Sequence, residues 1–505
     1  MANPLYDTLF GRHETSDRPF LHLPGGTTLT YRAFLASAAR YADALIQAGL
    51  TAGDRLAVQI EKSPDALAIY AACARTGIVF LPLNTAYTAT EIDYFLGNSG
   101  AKLLLCGPAN HAALAPVAAK AQARQETLAP DGTGTFADLA RDQSGTTPIA
   151  DRSEADLAAL LYTSGTTGRS KGAMLSQRNL LSNARTLTDL WHFTESDTLL
   201  HALPIFHTHG LFVATNITLI AGGAMIFLPK FDTGAVLDAL PKATAMMGVP
   251  TFYTRLLDAP RFDRALTQNM RLFVSGSAPL LAETHRTFED RTGHRILERY
   301  GMTETNMNTS NPYEGDRRAG TVGLPLPDVE LRVTDETGTP LSKGEIGTIE
   351  VRGPNVFQGY WQMPEKTAEE MREGGFFITG DLGRIDEDGY VTIVGRGKDL
   401  IISGGYNIYP SEVEAVLDAQ PGIRESAIIG APHPDLGEGT VAILVPEGDG
   451  QPDLEAIQTA IAKDLARFKQ PRHYDIVPEL PRNTMGKVQK AALRARYAEV
   501  FTPEG

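Results

Sequence analysis

The chain is poor in the features that mark disulfide-stabilised, nucleic-acid-binding and membrane-spanning proteins. Its 505 residues include only two cysteines and two tryptophans, and 46 Lys and Arg are outnumbered by 60 Asp and Glu, a formal net charge of −14. Cys73 and Cys106 lie inside apolar runs, so we expect reduced core thiols, as in a cytoplasmic protein. We expect no nucleic-acid partner, because a phosphate backbone needs a basic face, and any polyanionic ligand must be held by a local patch.

Long hydrophobic runs are also missing. No run approaches the roughly 18 residues that a membrane-spanning helix requires, so we expect no membrane partner. Residues 1–12 lack a basic stretch that leads into an apolar one, and the closing "FTPEG" is no peroxisomal or retention signal, which agrees with a cytoplasmic location. At this length a chain exceeds what one hydrophobic core supports, so we expect two or more domains.

Segments typical of strands alternate with segments typical of helices over the first three fifths of the chain. The apolar segments are "RLAVQI", "GIVFLPLN", "KLLLCG", "GAMIFLP" and "RLFVSGSA", and an amphipathic segment is "YRAFLASAARYADALIQAGL". Such alternation predicts an α/β fold in which helices cover parallel sheets. Residues 113–145, rich in Ala, Gln and Gly, are expected to form a surface helix and a loop.

The texture changes beyond residue 317, where glycines punctuate β-type segments such as "GEIGTIEVRGP". After "GRGKD" the chain resumes with α+β character. We therefore expect a large N-terminal domain over residues 1–396, made of parallel α/β layers with a β-rich subdomain at about 317–396. A small α+β domain is expected over residues 397–505.

A phosphate-binding loop is indicated by "YTSGTTGRSKG", residues 162–172. The spacing is not that of a Walker A loop, and no hydroxyl residue follows the lysine. Glycines nevertheless let backbone N–H groups converge on an anion, while hydroxyls and the lysine add donors and charge. The alternative is a turn without function between the strand "LAALLYT" and a helix. The candidate phosphate ligands are Thr163, Ser164, Gly165, Thr166, Thr167, Gly168 and Lys171.

The loop resembles the signature of the adenylate-forming superfamily of acyl-CoA synthetases, adenylation domains and luciferases. Four further segments resemble motifs of that family in the same order: "RYGMTET" (299–305), "TGD" (379–381), "GRGKD" (395–399) and "PRNTMGKVQK" (481–490). Together they span nearly the whole chain. The resemblance implies that a carboxylate reacts with ATP to give an acyl-adenylate and pyrophosphate, after which a thiol displaces AMP. ATP, Mg²⁺ and coenzyme A are the implied cofactors and co-substrates.

The resemblance also implies roles for individual residues. Asp381 and Arg396 would hold the ribose, and Glu304, with Thr163 as a second choice, would bind Mg²⁺. Lys487 would be the catalytic lysine on a mobile C-terminal domain with its hinge at Lys398, and a lysine acetyltransferase or deacetylase acting on Lys487 is a further expected partner. Other implied ATP contacts are Ser277, Ala278, Glu298, Tyr300, Gly301, Met302 and Thr303, and implied contacts to coenzyme A are Ser403, Gly404 and Gly405.

The acid substrate is suggested by Arg299, which precedes "YGMTE" where relatives that activate aromatic or fatty acids have glycine or another small residue. A buried arginine needs an anionic partner, and a ligand carboxylate would supply one. Ser277 and Arg255 are expected to share this role. Glu298 is the alternative partner, in a structural ion pair.

Two histidines in "PIFHTHGL" belong to the same region. His207 is a catalytic candidate, and the alternative is a residue that only shapes the pocket, since relatives place a histidine or an aromatic residue there. His209 is expected to pack in the interior.

The segment "ERYGMTETNMNTS" resembles that of malonyl-CoA synthetases. The sequence thus predicts ATP-dependent ligation of malonate, or methylmalonate, to coenzyme A. The alternatives are another short-chain acyl-CoA synthetase, a free-standing adenylation enzyme that loads a carrier protein, or a non-catalytic nucleotide-binding protein on the same scaffold.

Overall fold

A computed structural model describes residues 3–163, 170–404, 406–448, 450, 452–465, 467–483 and 486–501. The α-helices in that part of the chain are α1 Pro4–Leu9, α2 Tyr31–Gln47, α3 Pro64–Thr76, α4 Ala89–Ser99, α5 His111–Lys120, α6 Thr135–Arg141, α7 Gln177–Leu190, α8 Asn216–Ala221, α9 Thr233–Ala239, α10 Pro250–Leu257, α11 Ala282–Thr292, α12 Pro364–Glu369, α13 Pro410–Asp418, α14 Leu454–Asp464 and α15 Lys490–Arg496. A π-helical segment, His209–Thr215, precedes α8.

The strands of the described residues form four sheets. They are β1 Pro19–His22, β2 Thr28–Thr30, β3 Arg55–Gln59, β4 Val79–Pro82, β5 Leu103–Cys106, β6 Arg124–Thr127, β7 Leu157–Thr163, β8 Lys171–Ser176, β9 Thr198–His201, β10 Ala224–Phe227, β11 Ala245–Gly248, β12 Leu272–Ser275, β13 Leu297–Met302, β14 Asn306–Ser310, β15 Leu324–Pro325, β16 Glu330–Thr334, β17 Gly347–Arg352, β18 Phe377–Ile385, β19 Val391–Arg396, β20 Ile401–Ser403, β21 Tyr406–Ile408, β22 Ile423–His433, β23 Gly437–Pro446 and β24 His473–Ile476.

Two largely parallel sheets form the bulk of the N-terminal domain. One has the order β6-β5-β3-β4-β7-β8 and is parallel except at the β7–β8 hairpin. The other has the order β15-β14-β13-β12-β11-β9-β10-β1-β2, with parallel pairing from β13 to β1. Strands such as β4 and β5 are buried at every position, as expected of parallel strands covered by helices on both faces. The predicted α/β class is confirmed.

The two remaining sheets are smaller. Strands β16-β17-β18-β19 form an antiparallel sheet within the predicted β-rich region. The small C-terminal domain has the order β21-β20-β23-β22, with β24 parallel to β23, and α13 and α14 pack their apolar faces against it. The boundaries at residues 396 and 397 and the hinge at Lys398 remain predictions.

One local expectation was wrong, and one alternative is excluded. Residues 113–145 contain the edge strand β6, which has the polar sequence RQET and thus lacks the apolar alternation that marks most strands. The segment after the predicted phosphate loop is the strand β8, antiparallel to β7, and not a helix, so the strand-turn-helix alternative for this loop does not hold.

The state of the cysteines and the character of the helices agree with the expectations drawn from the composition. Cys73 in α3 and Cys106 in β5 are buried free thiols, as predicted. Across the described ranges, no helix combines the length and apolar character needed to cross a membrane.

Candidate active site

The β7–β8 hairpin carries the described ends of the predicted phosphate loop. Thr163 and Lys171 are paired across it, and the Thr163 hydroxyl lies 3.4 Å from the Lys171 carbonyl. The candidates Ser164, Gly165, Thr166, Thr167 and Gly168, and likewise Gly405, lie outside the described residues.

Lys171 is held by residues that the motifs did not reveal. Its ammonium nitrogen lies 2.9 Å from Glu370 Oε1 and 4.0 Å from the centre of the Tyr360 ring. The Tyr360 hydroxyl lies 2.6 Å from Glu370 Oε2 and 3.1 Å from Glu304 Oε1. A continuous polar network therefore joins the predicted phosphate lysine to the predicted metal ligand.

Glu304 is a buried carboxylate that suits a hard cation. Burial raises its pKa, while hydrogen bonds and the Lys171 and Arg396 charges act in the opposite direction. Nowhere in the described residues do three His, Cys, Asp or Glu side chains converge into a metal site of their own. Mg²⁺ commonly binds through one or two carboxylates together with substrate phosphates, and Glu304 fits that arrangement.

The predicted ribose ligands are brought together at one sheet edge. Asp381 on β18 and Arg396 on β19 are paired in register, and Arg396 Nε lies 2.8 Å from Asp381 Oδ1. The Tyr300 hydroxyl donates to Asp381 Oδ2. Each carboxylate oxygen has more than one acceptor site, so Asp381 can accept further hydrogen bonds from a sugar diol while it is held in place.

Arg299 on β13 is buried, and its guanidinium is short of partners. Its Nε and Nη2 are buried without a hydrogen-bond partner, and it forms no ion pair with any residue that the structure describes. Burial lowers its pKa to about 9. Burying a charge without a partner costs free energy, so the Arg299 guanidinium is suited to pair with an anion supplied by a ligand.

The alternative partner, Glu298, does not pair with Arg299. Successive strand residues point to opposite faces, and Glu298 instead accepts a hydrogen bond from the Leu280 backbone at 3.4 Å. Burial raises the pKa of Glu298 to about 8. The structural ion pair considered from the sequence is therefore absent.

A glycine makes room for the Arg299 guanidinium. A Cβ atom at Gly276 would lie 2.4 Å from Arg299 Cζ and 2.5 Å from its Nη1, far inside contact distance. The next residue, Ser277, has a φ of +74° and directs its hydroxyl to within 3.3 Å of His209 Nδ1. The bend after β12 thus lies against Arg299 and His209.

Both histidines of "PIFHTHGL" are uncharged near neutral pH. Burial, followed by the charges of Lys487 and Arg299, lowers the pKa of His207 to about 3. Burial also lowers the pKa of His209, which lies in the interior as the sequence predicted. The His209 backbone N–H lies 3.4 Å from His207 Nδ1, so His207 can serve as a neutral hydrogen-bonding group and not as an acid.

The remaining predicted contacts differ in their exposure to solvent. Arg255 is exposed on α10, one turn after Thr251, and residues four apart share a helix face. The predicted contacts that follow Ser277 and Tyr300 in the chain are half-buried, namely Ala278 after Ser277, and Gly301, Met302 and Thr303 after Tyr300.

Lys487 of the C-terminal domain has an exposed side chain that faces the predicted nucleotide ligands. Partial desolvation and the charge of Arg396 lower its pKa, whereas Asp381 and Glu304 raise it in part, so these groups lie within electrostatic range of its ammonium. A Cβ atom at the preceding Gly486 would lie 3.1 Å from Thr251 Oγ1 of α10. The sequence predicted Lys487, but only the structure places it beside residues more than a hundred positions earlier in the chain.

The predicted hinge and coenzyme A contacts lie in two successive turns after β19. Lys398 is exposed in a 3₁₀ turn, Gly397–Asp399, and the neighbouring Asp399 is 2.8 Å from Arg494. Ser403 and Gly404 form part of the β20–β21 turn, where Gly404 has a φ of +57°. Ile402 and Tyr406 on this hairpin are more than half exposed.

Sequence reasoning missed Tyr360, Glu370 and Gly276. Glu370 contacts a lysine 199 positions away and Tyr360 contacts a glutamate 56 positions away, so no local spacing pointed to either. Gly276 stood within the quoted "RLFVSGSA", but its packing against Arg299 depends on the pairing of β12 with β13.

Comparisons with known proteins agree with this site. The profile described as AMP-binding enzyme matches residues 11–361, and that described as AMP-binding enzyme C-terminal domain matches residues 412–487. Feruloyl-CoA synthase from Amycolatopsis is 36% identical over 477 residues, 94% of this chain and 95% of that protein. Malonate–CoA ligase from Arabidopsis thaliana is 35% identical over 479 residues, 88% of this chain and 78% of that protein.

A solved structure is more similar still. ATP-bound MatB from Rhodopseudomonas palustris is 55% identical, covers 99% of this chain and 100% of its own, and superposes with a TM-score of 0.97. The apo form of the same protein gives a TM-score of 0.86. The present arrangement is thus more similar to the ATP-bound form.

Proposed function

The chain belongs to the AMP-binding enzyme family and is an acyl-CoA ligase, and on that premise we propose that it joins malonate, or methylmalonate, to coenzyme A. The reaction proceeds through an acyl-adenylate and releases pyrophosphate and then AMP.

The Arg299 guanidinium is the observation that carries this proposal. It is buried, two of its nitrogens lack partners, and Gly276 leaves the space that it occupies. A dicarboxylate presents one carboxylate to ATP and a second to this cation. A bound monocarboxylate would leave the buried Arg299 guanidinium without an anionic partner, which would weaken binding.

Overall identity alone does not choose the acid. The feruloyl-CoA and malonate–CoA enzymes are almost equally similar to the chain, at 36% and 35% identity. The 55% identity to MatB, a malonyl-CoA synthetase, favours malonate, as does the buried and unpartnered Arg299 guanidinium.

The candidate residues divide the work of the first half-reaction. Asp381 and Arg396 would hold the ribose, and Glu304 would hold Mg²⁺, which would neutralise phosphate charge when bound. Lys487 supplies a positive charge for the carboxylate and α-phosphate as negative charge redistributes between them, an electrostatic role that a positioned ammonium can perform.

The second half-reaction requires a rearrangement of the C-terminal domain. We propose that residues 397–505 turn about Lys398 after adenylation, so that Lys487 leaves the cleft and the β20–β21 turn with Ser403 and Gly404 approaches it. The exposure of Ile402 and Tyr406 on this hairpin supports such an approach, because large apolar side chains gain from being covered.

The test measures AMP formation with ATP, Mg²⁺, coenzyme A and a panel of acids: malonate, methylmalonate, propionate, butyrate and ferulate. We expect malonate or methylmalonate to give the highest kcat/KM. A higher value for propionate or ferulate would refute the dicarboxylate assignment. A parallel reaction in which a pantetheinylated carrier protein replaces coenzyme A separates the proposed ligase from a carrier-loading enzyme.

A further inference from the structure

Hydrogen bonds join residues 482 and 483 to residues 486–488, and we call these described residues the Lys487 loop. Arg482 and Val488 form an antiparallel bridge, and the Asn483 backbone N–H donates to the Lys487 carbonyl at 2.9 Å. The Lys487 N–H donates to Asn483 Oδ1 at 3.0 Å, and Gly486 has a φ of +73°. These contacts shape the loop but do not fix its direction relative to the domain.

Arg482 ties that loop to the central sheet of the C-terminal domain. Its Nη1 donates to the carbonyl of Gly486, the residue before Lys487, and its Nη2 pairs with Glu425 on β22. Both side chains are largely buried, with 28% and 21% of their surfaces exposed. One planar guanidinium can hold a carbonyl and a carboxylate simultaneously in fixed geometry.

A second ion pair fixes the far end of the loop. Lys490 Nζ lies 2.6 Å from Glu414 Oε1 on α13, and Glu414 also accepts from the Ile428 backbone at 2.8 Å. The Lys487 loop is therefore tied at both ends to the body of its domain.

We propose that Arg482, oriented by Glu425, is a positioning residue for Lys487 in the adenylation half-reaction. This inference rests on the catalytic role proposed for Lys487. Arg482 reaches the backbone next to Lys487 and acts on the substrates through that lysine. Loss of the clamp would let the ammonium move by the order of an ångström, which can lower a rate by about a hundredfold.

The experiment measures the two half-reactions separately in Arg482→Gln, Arg482→Lys and Glu425→Gln. ATP–pyrophosphate exchange with malonate reports adenylation, and thioester formation from synthetic malonyl-adenylate with coenzyme A reports the second step. We expect Arg482→Gln to lower kcat for exchange by about tenfold to a hundredfold while thioester formation stays within about twofold. Arg482→Lys should recover part of the lost exchange rate. A variant with both Arg482→Gln and Glu425→Gln should lose less activity in the exchange assay than the sum of the two single losses in free energy.

Arg496→Gln is the matched control, because it removes an arginine of the same domain whose ion pair, to Asp475 at 3.6 Å, does not touch the loop. Equal losses in both half-reactions, or equal effects of Arg482→Gln and Arg496→Gln, would overturn the inference. Lys487→Ala separates the two proposals. If it leaves exchange intact, the proposed function of Lys487 fails, whereas if only Arg482→Gln leaves exchange intact, the positioning role alone fails.

Discussion

Arg299→Met tests the proposed recognition of the second carboxylate. The variant keeps a long side chain but removes the charge. Truncating one partner of a buried charged pair costs about 2 to 5 kcal/mol, which is about 30-fold to about 5,000-fold in kcat/KM. We expect a loss of that size for malonate, measured as AMP formation, with KM for ATP unchanged. Propionate should lose nothing or gain, because it has no second carboxylate.

The same variant has an opposite effect on stability. In the ligand-free protein the buried guanidinium has no acidic partner among the described residues, and burial lowers its pKa to about 9. Folding lowers the pKa of this cation, so the cation destabilises the folded state. The destabilisation is complete at a pH below the folded-state pKa and decreases as the pH rises above it. At pH 7.5 we therefore expect Arg299→Met to melt at least as high as the native chain by differential scanning calorimetry.

Arg317→Met is the matched control. Arg317 is a half-buried arginine whose three nitrogens donate to the carbonyls of Pro312, Arg295 and Tyr313. Its loss should lower the melting temperature and leave acid preference unchanged. Unchanged malonate kinetics in Arg299→Met, or a melting temperature as low as that of the control, would refute the reasoning.

Three further outcomes are expected. Gly276→Ala should raise KM for malonate at least about tenfold, because a Cβ atom would lie 2.4 Å from Arg299 Cζ, and unchanged steady-state kinetics would contradict this. Lys487→Ala should lower ATP–pyrophosphate exchange by at least about a hundredfold while thioester formation from malonyl-adenylate continues, and equal loss of both would speak against domain alternation. Burial lowers the pKa of His207 to about 3. Below about pH 6.5 the unfolded chain therefore binds a proton that the folded chain does not, and the free energy of unfolding decreases as the pH is lowered. His207→Gln should reduce that fall by up to about 1.4 kcal/mol per pH unit between pH 5.5 and 4.5, measured by urea denaturation, and an identical slope in both proteins would refute the assignment.

Much of the architecture could be predicted because it is encoded locally. The segments "RLAVQI" and "KLLLCG" gave β3 and β5, and the spacing of apolar residues gave α2. Strand β6 could not be predicted in this way, because a short polar edge strand is defined by its pairing with β5 and not by its own composition.

The sequence by itself determined the class of chemistry, since five ordered motifs and an arginine before "YGMTE" require no coordinates to be recognised. Only the tertiary structure decided how those residues act together. It left Arg299 without an acidic partner in the described chain, because neighbouring strand residues face opposite sides of β13. It also brought Lys487 into the electrostatic range of Asp381. Such convergence depends on sheet pairing and domain docking, and these are set by contacts between segments far apart in the chain.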